Sequence, residues 1–399
     1  MKIISTEIKN KVLDSMMRLL DDNRSSILEA NKKDLDLFNV ADQAMYDRLI
    51  VTEDKIDGMM TSIKEVRLQE DPVGKTISKQ HLENGLDITN KTAPFGTIMI
   101  IYESRPDVTI EAAVLAFKAN NKILLKGGKE AWYSNTILVE LWHKALAENK
   151  LSNNFIQQLT MNREETQEFL KKPTEKLDLI VPRGGERLIN FVKEHAKCAV
   201  LVSGRGNNFL FVDKEADWEK SVKVIMNAKT EKISACNALD KILISSAIEN
   251  YEQKLADLYQ LLNANGVETF VDDNVNTVIK NAQRIQNDDV WKEEFLAMKC
   301  CLGSVESLYE AVEKINDNSG GHSATIMTAN KNTALQFMEE VDCAAVYQNA
   351  STRFTDGGQM GVGAELAIST DKLHHRGPLG LKQLVTNKYY VFGDGQIRE

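Results

Sequence analysis

From residue 4 to about residue 70, apolar positions recur at spacings of three and four with almost no glycine or proline, which predicts an all-helical entry segment. The pattern breaks at residues 79–93, a polar stretch with Asn84-Gly85 at its centre, which reads as a hairpin leaving the body of a domain. A buried strand follows from Gly96 to Tyr102, then the apolar helix VTIEAAVLAFKAN and a second strand, KILLKGG. Strand, helix and strand with a glycine stop make a βαβ unit, whose two strands lie parallel. The alternation continues: a helix over about 132–149, the short strand FIQQLTM, a helix over 163–171, the strand LDLIVPRGG, the helix ERLINFVKEHA, and the strands CAVLVSG and FLFVD. A second α/β unit begins near Phe209, with a helix over about 215–227 and the strands KILISS and HSATIMTA. The glycine-rich stretch NASTRFTDGGQMGVGAE has neither period and reads as a site loop. KYYVFGDG is a last short strand, which could pair with the hairpin near residue 85 or with another subunit.

This order predicts an α/β fold of two doubly wound domains with ligands at the carboxyl ends of the strands, and a small hairpin for oligomerisation. The expected boundaries are 1–206, carrying the hairpin 79–93, then 207–385, then a strand at 386–399. A length of 399 residues suits about two or three domains.

Composition narrows the functional classes. At 43% hydrophobic and 27% charged the chain is an ordinary globular protein, and no apolar run is long enough to span a bilayer. The start, MKIISTEIKNKVLDSM, lacks the apolar core of a secretion signal, so a cytoplasmic location is expected. A net charge of -9 without a basic block argues against nucleic acid as a partner. Five cysteines at irregular spacing, with no Cys-x-x-Cys, exclude a disulfide framework and a structural zinc, and the six scattered histidines predict no metal site.

Three strand ends join glycine to a cation: Lys126-Gly127-Gly128-Lys129, Arg183-Gly184-Gly185 and Gly204-Arg205-Gly206. Such turns let the backbone and a following helix approach a phosphate, although a glycine there often only makes a turn. None matches G-x-G-x-x-G. YESRPD places Ser104 and Arg105 directly after a buried strand, where they either face a crevice or close a surface turn at Pro106. Asn349, Ser351, Thr352 and Arg353 offer neutral donors and a guanidinium suited to a carboxylate or phosphate; an ordinary polar loop would look the same. Cys236, in NAKTEKISACNALDKI, reads by itself as a small core residue ahead of a nucleophile.

AKTEKISACNALDKILI, PFGTIMIIYESRPDVTIEAA, VPRGGERLI, NASTRFTDGGQMGVGAELAISTDKLHHRGPLGLKQL and KYYVFGDGQIR together resemble the gamma-glutamyl phosphate reductases, a branch of the aldehyde dehydrogenase superfamily. The resemblance covers nearly the whole chain in order. It implies an aldehyde dehydrogenase-like fold and NADPH-dependent reduction of L-glutamyl 5-phosphate to glutamate 5-semialdehyde, a step toward proline. It makes Cys236 the nucleophile and puts Ser104 where an oxyanion donor sits. It gives Lys126, Gly127, Gly128, Arg183, Gly184, Gly185 and Glu294 to the cofactor, with Glu294 on its ribose. Lys129 stands where NAD-preferring relatives often carry an acid, which favours NADP. Arg105 and the Asn349–Arg353 segment are left for the substrate's phosphate and its amino-acid end. A small-molecule substrate, a homo-oligomer and functional coupling to a glutamate 5-kinase are implied as well.

One segment departs from the pattern. Where those relatives read I-E-T-G-V-G-N-C-H, this chain has Leu201-Val202-Ser203-Gly204-Arg205-Gly206-Asn207-Asn208-Phe209, so the usual glutamate base is Val202. A hydrolytic aldehyde dehydrogenase needs that base to activate water, whereas a reductase that expels phosphate does not. The departure leaves open a related acyl-phosphate or acyl-CoA reductase with another substrate, or a non-catalytic relative.

Overall fold

The computed structural model describes residues 2–39 and 43–398. Contacts divide the chain into two units: unit 1 is Met1–Val202, Val362–Ala367 and Leu379–Glu399, and unit 2 is Ser203–Gly361 and Ile368–Pro378.

Unit 1 opens with α1 (Thr6–Asp22), α2 (Arg24–Leu37), α3 (Gln43–Leu49) and α4 (Glu53–Leu68). The hairpin β1 (Thr76–His81) and β2 (Asp87–Pro94) follows, antiparallel as expected, with Gly85 at φ 86 in its turn. The parallel part comprises β3 (Thr97–Tyr102), α5 (Pro106–Lys118), β4 (Lys122–Lys126), α6 (Trp132–Glu148), β5 (Ile156–Gln158), α7 (Arg163–Lys171), β6 (Leu179–Arg183), α8 (Glu186–His195) and β7 (Ala199–Val200). Its sheet order is β5-β4-β3-β6-β7, every pair parallel. Both faces are covered. Ile98, Ile100 and Tyr102 of β3 join one core with residues of α1, α4, α5 and α6, while Met99 and Ile101 join Phe169, Leu170 and Val192 in the other. Two buried faces explain why these strands read as continuous apolar runs. The strand order reverses between β3 and β6, which makes their carboxyl ends the switch point of the sheet.

Unit 2 is built on β8 (Asn208–Val212), α9 (Trp218–Thr230), β9 (Leu239–Ser245), α10 (Tyr251–Ala264), β10 (Glu268–Val271), α11 (Asp273–Val278), β11 (Gln283–Arg284), β12 (Lys299–Val305), α12 (Leu308–Asn318), β13 (Ser323–Met327), α13 (Lys331–Glu340) and β14 (Ala345–Gln348). Its seven strands run β11-β10-β12-β9-β8-β13-β14, all parallel. All seven residues of β9 are buried, and apolar clusters lie on both sides of the sheet.

The chain ends with the paired strands β15 (Glu365–Ser369) and β16 (Gly377–Gly380), and with β17 (Val385–Phe392). β17 pairs antiparallel with β2 over eight residues, so of the two pairings open to the last strand the chain uses its own hairpin.

Two expectations change. CAVLVSG is a strand only at Ala199–Val200; the Leu201 N–H still donates to the Ile180 carbonyl at 2.9 Å, and residues 202–207 form no strand, with Gly206 packed against the Cys236 carbonyl. The domain expected at 207–385 also gives up its end. Leu366, Leu379, Leu381 and Leu384 are buried in the same core as Ile98 and Phe117, and that burial assigns Val362–Ala367 and Leu379–Glu399 to unit 1.

Candidate active site

In unit 2, Cys236 lies half-buried in the loop between α9 and β9, and among the described residues none of the five cysteines is in a disulfide. Because it precedes β9, it sits at the amino-terminal edge of this sheet, whereas the sequence pattern pointed to carboxyl ends. The loop is held from several sides. The side-chain amide of Asn208 donates to the carbonyl oxygens of Gly206 at 2.8 Å, Cys236 at 2.8 Å and Ala238 at 2.6 Å. Gly206 packs so closely that a Cβ there would run into the Cys236 carbonyl, which explains the glycine. Asn237 donates to the backbone oxygens of Arg353 at 3.1 Å and Thr355 at 3.0 Å, and the Thr352 hydroxyl donates to the Asn237 carbonyl at 2.8 Å. Cys236 and the Arg353 loop, 117 positions apart, are thereby tied through one residue.

The four residues of this loop expected to meet substrate divide sharply. Asn349 spends both ends of its amide on Thr328, accepting from its N–H at 2.9 Å and donating to its carbonyl at 2.8 Å. The Ser351 hydroxyl accepts from the Arg353 N–H at 3.3 Å, and Thr352 is committed to Asn237. These three shape the loop. The Arg353 guanidinium keeps Nη1 buried with no hydrogen bond among the described residues, which makes Arg353 the group suited to an incoming anion.

Beneath this loop runs a hydrogen-bonded series that sequence reading missed: Tyr347 hydroxyl to Thr355 Oγ1 at 2.8 Å, Thr355 to Ser323 Oγ at 2.7 Å, and Ser323 to His322 Nδ1 at 2.7 Å. His322 is 0% exposed, and burial pushes its pKa down to about 4. Glu294 is half-buried in the segment after the 3-10 turn Asp288–Lys292. Arg205 is exposed and donates to the Lys292 carbonyl at 3.3 Å.

In unit 1 the predicted residues gather at the switch point. Lys126 ends β4, and Gly127 and Gly128 lead into the short turn Lys129–Ala131, where Lys129 is exposed. Lys126 Nζ donates to the Gly127 carbonyl at 2.9 Å; burial lowers its pKa and the nearby Glu130 carboxylate raises it. Arg183 ends β6, and a Cβ on Gly184 would lie 2.5 Å from the Glu103 carboxylate, so these two strand ends abut. Gly185 is the N-cap of α8 and has open space where a side chain would be. Arg105 Nη2 donates to Asp107 at 2.8 Å.

Ser104 departs from its expected part. It is 1% exposed with φ 44, and both its N–H (2.7 Å) and its hydroxyl (2.9 Å) donate to Glu130 Oε1. A hydroxyl that gives its proton to a carboxylate offers only lone pairs elsewhere, so this geometry does not present Ser104 as an oxyanion donor. Glu130 was overlooked because nothing in its spacing shows that it folds back on residue 104. Among the described residues, no cluster of three or more His, Cys, Asp or Glu is placed to hold a metal ion.

Two doubly wound parallel sheets, with a cysteine loop in one and a lysine-glycine strand end in the other, define the aldehyde dehydrogenase class, and the model of the aldehyde dehydrogenase family matches residues 9–286 and 276–365. A gamma-glutamyl phosphate reductase of Halothermothrix orenii is 40% identical over 398 residues, covering 99% of this chain and 94% of that protein. A gamma-glutamyl phosphate reductase 2 of Bacillus licheniformis is 40% identical over 400 residues, 100% of this chain and 94% of that one. The crystal structure of the Thermotoga maritima gamma-glutamyl phosphate reductase superposes with a TM-score of 0.94 at 39% identity, covering 99% of this chain and 95% of that chain. The chain belongs to the gamma-glutamyl phosphate reductase branch of the aldehyde dehydrogenase family and is an oxidoreductase.

Proposed function

We propose that the chain reduces L-glutamyl 5-phosphate to L-glutamate 5-semialdehyde with NADPH, through a thioester on Cys236. The observation that carries this reading is the tie between the cysteine and the anion-ready guanidinium: Asn237, next to Cys236, is bonded to the loop of Arg353 on both its side chain and its carbonyl. The thiolate attacks the acyl carbon, the bond from that carbon to the phosphate oxygen breaks, and phosphate departs with the electron pair. The backbone amide of Cys236 stabilises the oxyanion, a donor of this kind being worth roughly 3 kcal/mol. Arg353 binds the substrate's carboxylate, and Arg105 serves the departing phosphate. Val202 supports this order of events, because an aliphatic side chain cannot activate water and a thioester formed by loss of phosphate needs none.

The residues of unit 1 suit a dinucleotide. The open space at Gly185 on the N-terminus of α8, with Arg183 just before it, fits a phosphate. Lys126, Gly127, Gly128, Arg183, Gly184 and Gly185 would hold the nucleotide, Lys129 its 2′-phosphate and Glu294 its ribose. NADPH, when bound, supplies the hydride that turns the thioester into the aldehyde and returns the thiolate. The exposed Tyr389, Val391 and Phe392 on β17, at the edge of its sheet, support pairing with a second copy. A short-lived acyl phosphate favours supply by a coupled glutamate 5-kinase, and the cytoplasm is the setting.

The test is the reverse assay with NADP, phosphate and glutamate 5-semialdehyde, with arsenate replacing phosphate as a control. NADPH should form with either anion present and should not form when both are left out, and Cys236→Ala should abolish the reaction while the protein stays folded. A variant that keeps its rate would rule out the thioester; a rate only with coenzyme A would show an acyl-CoA reductase.

A further inference from the structure

Arg105 is the N-cap of α5, and Asp107, in the first turn of the same helix, takes its guanidinium: Nη2 donates to Oδ2 at 2.8 Å. The arginine side chain is 38% exposed and the aspartate 18%, so an ion arriving from solvent reaches the cation more readily than the carboxylate. Pro106 at the helix start and the Val108 N–H, which donates to the Arg105 carbonyl at 3.0 Å, hold the backbone between the pair. The other oxygen of the carboxylate, Oδ1, is buried with no hydrogen bond among the described residues. Lys55 of α4, whose Nζ donates to the carbonyls of Arg48 and Ile50, lies near both partners: burial lowers its pKa, Asp107 opposes that and Arg105 adds to it. Half-buried Glu111, one turn further along α5, has its pKa raised by burial and by Asp107, against the pull of Arg105 and Arg183. Arg105 thus stands beside two carboxylates. A pair this exposed adds little to stability, so its effect falls on what else the guanidinium can bind. Phosphate prefers two parallel bonds from an arginine. To take them it must draw Nη2 off Asp107 or lie beside a negative charge, and either weakens its hold.

We propose that Asp107 is a positioning residue that sets the phosphate affinity of this site: it holds Arg105 while the site is empty and competes with phosphate for it. This rests on the reading of Arg105 as the contact for the departing phosphate. In the direction of reduction phosphate is a product carrying more than one negative charge, and an arginine without a rival carboxylate would retain it. Asp107 recloses on Arg105 as the ion leaves. The same competition makes the reverse reaction demand more phosphate than the guanidinium alone would require.

The experiment measures KM for inorganic phosphate in the reverse assay, with NADP and semialdehyde saturating, beside the calorimetric Kd for inorganic phosphate. Asp107→Asn keeps an oxygen for Arg105 and removes the charge; Asp107→Ser is a second neutral variant, and Asp107→Glu keeps the charge. Both neutral variants should lower the KM and the Kd for phosphate at least about fivefold, with KM for NADP unchanged, while Asp107→Glu stays within about twofold of wild type. A pair that merely braces the helix would behave otherwise: its neutralisation loosens Arg105 and leaves the phosphate KM unchanged or higher, and that result overturns the proposal. Arg105→Gln separates the two readings and should raise the phosphate KM at least about tenfold. If it does so while the neutral Asp107 variants lower nothing, the proposal falls and Arg105 keeps its phosphate. If Arg105→Gln leaves the phosphate KM unchanged, the reading of Arg105 falls and the proposal with it.

Discussion

The Asn208 side-chain amide donates to the carbonyl oxygen of Cys236 at 2.8 Å, and the same nitrogen reaches the carbonyls of Gly206 and Ala238. Two amide hydrogens serve three acceptors, so one is shared, and together they fix the backbone on either side of the thiol. Asn208→Ala leaves buried carbonyls unpaired and lets that backbone shift. Because a displacement of about 1 Å at a reacting group can cost on the order of a hundredfold, kcat in the reverse assay should fall by roughly that factor with little change in KM. An unchanged kcat would show that the other anchors suffice.

Gly206 tests the same packing from the opposite side. A methyl group there meets the Cys236 carbonyl, which is backbone and cannot swing away. Gly206→Ala should therefore displace the loop, lowering activity more than Asn208→Ala does. It should also lower the thermal midpoint, since forced overpacking costs about 1–3 kcal/mol. Calorimetry with the reverse assay reads both.

The layered fold was legible because strands buried on two faces become apolar runs and the helices between them keep a period near 3.6; β3, α5 and β4 fall where that rule puts them. The glycine-cation strand ends were equally visible, and the strand order sets two of them, after β4 and β6, on either side of β3. What could not be read was which polar side chains turn inward. Asn349 and Thr352 have the composition of a binding loop, yet their bonds go to Thr328 and Asn237. Asn208 and Glu130 look ordinary and hold Cys236 and Ser104 in place. Such partners depend on chain paths brought together by tertiary packing, which no local spacing encodes.

Glu130 carries two consequences, of which the second has a pH signature. It holds Ser104 in a left-handed backbone conformation that costs a non-glycine residue about 1–2 kcal/mol, and it is the anion that raises the pKa of half-buried Lys126. In Glu130→Ala that opposition to burial disappears, so Lys126 loses its proton at lower pH. If Lys126 contacts the cofactor as a cation, the alkaline limb of a plot of NADPH affinity against pH should move toward neutrality. Titration of the Kd between pH 7 and 10 checks this, and an unmoved limb would remove Lys126 from the cofactor.

His322 sets an acid limit on stability. Its folded pKa is pushed down to about 4 from an ordinary 6.5 by burial, so the unfolded chain binds the proton more readily and stability rises with pH across that window. The contribution is fully present above about pH 6.5 and is lost as pH falls toward 4. At about 1.4 kcal/mol per pH unit, it amounts to roughly 3 kcal/mol between pH 7 and pH 4.5. His322→Gln carries no such proton. Urea midpoints at those two pH values should therefore fall less for the variant than for the parent, even though the variant gives up the ring's bond to Ser323 and starts lower at pH 7. Equal losses in the two proteins would mean that His322 is already reached by water in the folded state.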